Sequence, residues 1–205
     1  MEVPAESEQP FASFMAFVRK YLLTGFVLTT FAVLVSPRSP WVAIAGLFIA
    51  FAWIYFVHRA VHLLPTSGPI SYLNPHVFFH HDHDKSIDRR LELFMETIND
   101  TLMNLSLIPF QWLLGVQIVP TSVIVYHAIT YVSVHIFNYS VVGSPTHRNH
   151  HKHMYTNYGP DPMDHIFGTS TYGVLEDLMP VTMNACFGAL ATLALNRYVI
   201  RLDGL

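Results

Sequence analysis

Cysteine is almost absent: the 205 residues contain one, Cys186. An intrachain disulfide is therefore excluded, as is any zinc or redox site built on paired thiolates. Charge is scarce too. Asp, Glu, Lys and Arg make up 12% of the chain, about half the usual share of a soluble domain. The net charge is −3 with histidine neutral, which leaves no basic footprint for nucleic acid. No internal repeat or low-complexity tract is visible. What is abundant is apolar surface: 52% of residues are hydrophobic and the mean hydropathy is +0.36. Together these values point to an integral membrane protein with room for one domain. The other excess is histidine. Thirteen histidines outnumber eleven Lys and Arg, and all fall between His58 and His165.

The apolar residues fall into blocks. Residues 1–16 are read as a disordered, acidic lead-in. A cleaved signal peptide needs a basic start, so an uncleaved first span over about 17–35 is expected. A second, 41–57, follows the Pro-bounded turn Ser36-Pro37-Arg38-Ser39-Pro40. Each is near the ~20 residues that cross a bilayer. Polar residues Glu92, Glu96, Asn99 and Asp100 precede a third span over about 101–116, with Pro109 expected to kink it. A fourth span covers 119–137. A shorter apolar helix over 181–196 is expected on or partly inside the membrane. Arg59, Lys85, Arg89, Arg90, Arg148 and Lys152 all lie in the intervening caps, 58–100 and 138–180. The positive-inside rule then puts both caps in the cytosol. The expected fold is all-α: a bundle of about four transmembrane helices under a cytosolic, histidine-rich di-metal cap.

The histidines come in helical spacings. His58/His62 are four apart, as are His76/His80 and His147/His151; His147/His150 are three apart, so each set can share a helix face. His127 and His135, eight apart on the fourth span, can share a broad face. The ligand candidates are His58, His62, His76, His80, His81, His127, His135, His147, His150 and His151. Neutral imidazole is a common ligand for iron, zinc, copper and nickel. A structural zinc site needs about four ligands, so this set suggests two metals. His83, His153 and Asp164 stand behind them, with Asp164 able to accept the other N–H of a ligating ring or, equally, to cap a local turn. The competing readings are a solvated histidine-rich loop for His147–His151, interfacial anchoring for His58 and His62, and an interhelical hydrogen bond for His127.

The ordered set His58-Arg59-x-x-His62, a box ending His80-His81, His135 at a span end and Pro145-x-His147-x-x-His150-His151 resembles the fatty acid hydroxylase/sterol desaturase superfamily. Asn157-Tyr158-Gly159 and Asp164-x-x-Phe167-Gly168-Thr169 extend the resemblance, which covers roughly residues 41–170. One box departs from it: three residues, not two, separate His76 from His80-His81. His76 is then a ligand in a different helical phase, or a bystander. The resemblance implies a membrane non-haem di-iron oxygenase that hydroxylates or desaturates a lipid, whether fatty acyl, sphingolipid or sterol. It implies O2 as co-substrate, two iron ions per chain, and a separate electron donor such as cytochrome b5 or a reductase. It implies the endoplasmic reticulum in a eukaryote or the cytoplasmic membrane in a bacterium. Aldehyde or ether-lipid cleavage by the same centre, a metal-transport or metal-storage protein, and an inactive relative holding structural zinc are the alternatives.

Overall fold

The computed structural model describes residues 10–65, 74–81, 88–171 and 178–203, and those residues contain helices and no strand. Helix α1 (Pro10–Val35) turns at Pro37 into α2 (Pro40–His62), which has Pro40 at its start, where a missing N–H costs nothing. α2 is the one described helix both long and apolar enough to cross a membrane; Leu22–Val35 is a shorter apolar stretch. α1 already begins at Pro10, within the expected lead-in.

A π-helical turn, His76–His81, precedes α3 (Arg89–Leu105). Asp88 caps α3 by accepting from Arg90 N at 2.9 Å and Leu91 N at 3.3 Å. The expected third span is not one helix. The chain breaks at Ser106, whose hydroxyl donates to the Met103 carbonyl (2.6 Å) and accepts from Trp53 Nε1 (2.9 Å). Pro109, expected to make a kink, instead sits in the first turn of α4 (Leu107–Leu113), where no helical N–H is lost.

α3 is amphipathic in the inverted sense. Its buried residues are Glu96, Asn99, Asp100, Met103 and Asn104. Leu91, Phe94, Ile98 and Leu102, at helical spacing, face outward.

α5 (Thr121–Ser133) runs directly into a second π-helical segment, Val134–Gly143. The start of α5 has no cap of its own; Asp203, far along the chain, accepts from Thr121 N at 2.7 Å and Ser122 N at 3.2 Å. Short helices α6 (Pro145–Lys152) and α7 (Asp161–Phe167) follow. The last helix, α8 (Leu178–Tyr198), has 21 residues, more than the expected 181–196, and packs against both α5 and α1. A Cβ on its Gly188 would fall 2.3 Å from Thr130 Oγ1, so only glycine permits this approach to α5. The core joins Ala32 and Val35 of α1, Leu47, Phe51 and Tyr55 of α2, and Val123, Ile124 and Tyr126 of α5.

Candidate metal centre

The last two turns of α2 carry His58 and His62 on one face. Three more histidines meet them: His76 and His81 from the first π-helical turn, and His150 from α6. One ligand nitrogen from each lies within 4.8 Å of the other four. His58 Nε2 is 2.9 Å from His76 Nε2 and 3.0 Å from His62 Nε2, and His76 Nε2 is 3.2 Å from His81 Nε2. His76 therefore lies inside the histidine group. It pairs with His81, five residues on. In an α-helix five residues advance about 500°, leaving the two side chains ~140° apart. The wider i→i+5 winding brings them to one side.

Hydrogen bonding to main-chain carbonyls decides which ring nitrogen is bare. His58 Nδ1 lies 2.6 Å from the Tyr158 carbonyl, and His150 Nδ1 lies 2.5 Å from that of Thr156. A carbonyl only accepts, so both Nδ1 atoms carry the proton and both Nε2 atoms present lone pairs to the cluster. His150 Nε2 is buried and has no hydrogen-bond partner among the described residues. Burial holds the His150 imidazolium down, to about 3, so the ring is neutral at pH 7, the form that binds metal. His76 Nδ1 faces the Asn99 side-chain amide at 3.1 Å. The facing atom is Nδ2, a donor, so Nδ1 accepts here; only a half-turn of the amide, which leaves the side-chain shape unchanged, would let its oxygen accept from Nδ1 and leave Nε2 bare.

A second group stands beside the first: Glu96 of α3, His135 of the π-helical segment after α5, and His147 of α6. His135 Nδ1 is 2.6 Å from Asp100 Oδ2, and its Nε2 is 3.3 Å from Glu96 Oε1. That is a carboxylate–imidazole arrangement in which the second nitrogen and Glu96 lie close enough to share an ion. Ser140 Oγ donates to the same Glu96 oxygen at 2.5 Å. His151 Nε2 is 3.0 Å from His147 Nε2, and the His151 ring stacks on His81 at 4.6 Å between centroids. His81 and His151 thus join the two groups. α6 presents its histidines because Ser144 caps it, accepting from His147 N at 3.1 Å, with Pro145 next in the first turn.

The Asn157-Tyr158-Gly159 segment holds the carbonyl that fixes His58. Asn157 (φ 51°) and Gly159 (φ 67°) are left-handed. Of the two roles expected of Asp164, accepting from an imidazole and capping a local turn, its hydrogen bonds match the second. It accepts from Tyr158 N (2.9 Å), Gly159 N (2.5 Å) and Thr169 Oγ1 (2.7 Å). It therefore acts on His58 through the main chain. Burial pushes its carboxyl up to about 6, against the pull of these donors.

Not every predicted residue joins. His127 belongs to neither group; its ring packs on Phe51 at 5.0 Å, two turns below His135. His153 is exposed just beyond α6, where its carbonyl accepts from Thr156. The His80 side chain and His83 lie outside the described residues. Sequence reasoning missed Glu96, Asn99 and Asp100 as site residues. Their i, i+3, i+4 spacing before an apolar stretch was the available signal.

A cavity of about 160 Å³ opens from the two groups. His58, His135, His147 and His150 line one part of it, and Leu28, Leu47, Phe48 and Phe51 line another.

This donor set fits metal ions. Nitrogens bound to one ion at ~2.1 Å lie ~3.0 Å apart at right angles and ~3.4 Å apart in a tetrahedron, close to the 2.9 to 3.2 Å between the Nε2 atoms of His58, His62, His76 and His81. Five imidazoles exceed the usual tetrahedral zinc complement, and the second group has its own carboxylate. All-nitrogen and oxygen donors without thiolate suit iron as well as zinc. No protein-family model, no curated protein and no solved structure matches this chain.

Proposed function

We propose that this protein is a multi-pass membrane oxidoreductase of the fatty acid hydroxylase/sterol desaturase type, with two irons, acting on the C–H bonds of a lipid chain. The observation that carries the reading is the adjacency of two buried ligand groups, one of five imidazoles and one of Glu96, His135 and His147, at the wall of an apolar cavity. In this reading His58, His62, His76, His81 and His150 hold one ion, and Glu96, His135 and His147 hold the other, with His151 at the junction.

Bound iron supplies O2 reduction: a C–H bond, O2, two electrons and two protons give an alcohol and one water, or, with loss of two vicinal hydrogens, an alkene and two waters. The protein's own part is positional. The Tyr158 and Thr156 carbonyls hold His58 and His150 in the tautomer that leaves Nε2 bare. Asp100 keeps the Nδ1 proton of His135 and so directs its Nε2 inward. Leu28, Leu47, Phe48 and Phe51 accept an apolar chain and exclude water from it. The electrons come from a separate donor, a reductase or cytochrome b5.

The inverted α3 supports membrane burial, because Phe94 (60% exposed) and Leu102 (64%) then meet lipid while Glu96 and Asp100 stay inside. Exposed Arg59, Arg148 and Lys152 flank the histidine end, which supports a cytosolic site. The test is elemental analysis of the detergent-purified full chain, with a His150→Ala/His151→Ala control. Iron at about two per chain, reduced in the control, together with O2- and reductant-dependent lipid products, sustains the reading. Stoichiometric zinc under iron-replete expression favours a structural role, and a folded protein without metal overturns the ligand assignment.

A further inference from the structure

The cavity wall carries a polar anomaly. His127 is 4% exposed and lines the cavity, yet its Nε2 has no hydrogen-bond partner among the described residues. Thr24, 4% exposed on α1, lines the same cavity, and its Oγ1 also has no hydrogen-bond partner among the described residues. The two stretches adjoin: Tyr126 Oη, next in sequence to His127, donates to the carbonyl of Leu28, one turn from Thr24, at 3.2 Å. The same cavity is lined by apolar Leu28, Leu47 and Phe51 and by Thr130 and Tyr131, one turn from His127. A buried polar atom left without a partner is costly, and such atoms in native proteins call for an explanation. Metal ligation does not supply it, since His127 is outside both ligand groups.

The geometry points to His127, aided by Thr24, as a specificity residue that hydrogen-bonds a polar substituent on the substrate's chain; this rests on the lipid-oxidation reading above. His127 and His135 are eight residues apart on one rod, a rise on the order of 12 Å. The substrate class is therefore an amphiphile with a hydroxyl or oxo group roughly that far from the carbon that reacts, rather than a plain hydrocarbon chain. A neutral imidazole Nε2 either donates or accepts, according to tautomer, and a threonine hydroxyl does both. The pair suits a hydroxyl, which also does both.

The experiment is equilibrium binding to the purified full chain as isolated, under argon and without reductant, so that no turnover occurs. The probes are methyl octadecanoate and its positional isomers with a single hydroxyl at successive carbons. One isomer, or two neighbours, is expected to bind roughly tenfold more tightly than the unsubstituted ester, the scale of one net hydrogen bond to a buried group. That preference is expected to fall below about twofold in His127→Leu and to survive in part in His127→Gln. Metal content of His127→Leu is expected to equal that of the wild type. Binding of the plain ester with no isomer preference, or a preference unchanged in His127→Leu, overturns this inference alone. Loss of metal in His127→Leu overturns it in favour of a ligand role. Failure to bind any chain overturns the lipid reading and this inference together.

Discussion

The two ligand groups are built differently. The first is all imidazole, and the order of its rings comes from neutral main-chain carbonyls of Tyr158 and Thr156. The second mixes imidazole with buried carboxylates, Glu96 as a donor and Asp100 behind His135. An ion in the first group keeps its full positive charge, whereas one in the second is partly neutralised. The difference teaches that a symmetrical-looking run of histidine motifs can make an asymmetric pair of sites. The asymmetry comes from α3, a helix without histidine.

Substitutions can break that comparison. The largest effect is expected from His62→Ala combined with His150→Ala, which removes two of five ligands from the first group alone. Metal per chain should fall from about two to about one, with the second group still loaded, as read by elemental analysis; loss of both ions would show that the groups are one cooperative site. Next is Asp100→Asn. An orienting carboxylate behind a ligating histidine is worth about 10–100-fold in metal affinity, so chelator competition should show a loss of that size confined to one of the two ions, that of the second group. An equal loss at both ions would refute the separate assignments.

Smaller effects sharpen the first group. Asp164→Asn leaves main-chain N–H groups facing an amide, and a stability loss of about 1–3 kcal/mol is expected. It should also change the pH profile. The folded-state carboxyl lies at about 6 and its ordinary value is 3.8. Its contribution to stability is therefore full below about 4 and is lost as pH rises through 6. Denaturation of wild type and variant across pH 4 to 7 should show their stability difference shrinking over that window, and a constant difference would contradict the burial argument. The least effect is expected from Ser144→Ala, which removes the cap of α6 at a cost of about 1 kcal/mol. Thermal unfolding should register it while metal content stays at the wild-type ratio.

The legibility of these sites in the sequence was uneven. His58 and His62 were readable as a pair because both lie on α-helix, where a spacing of four has one meaning. His76 was ambiguous because its spacing to His80 and His81 has a different meaning in a π-helical turn, and local composition does not announce that winding. The break at Ser106 was masked by Pro109, the stronger local signal, because a proline inside a first turn is harmless. His127 shares one continuous helical rod with His135, yet two turns of rise carry it away from the two side-chain groups and against Phe51.

Sequence by itself determined that the chain is helical, apolar, free of disulfides and rich in imidazole at helical spacings. Those properties follow from residue types and short separations, which act within a turn or two of the chain. Only the tertiary structure decided which histidines come together, that Glu96 joins the second group with Asp100 behind His135, and that α3 turns its polar face inward. Each of those depends on residues far apart in the chain, such as Tyr158 against His58 or Asp100 against His135, and on buried polar groups finding partners that no local pattern specifies.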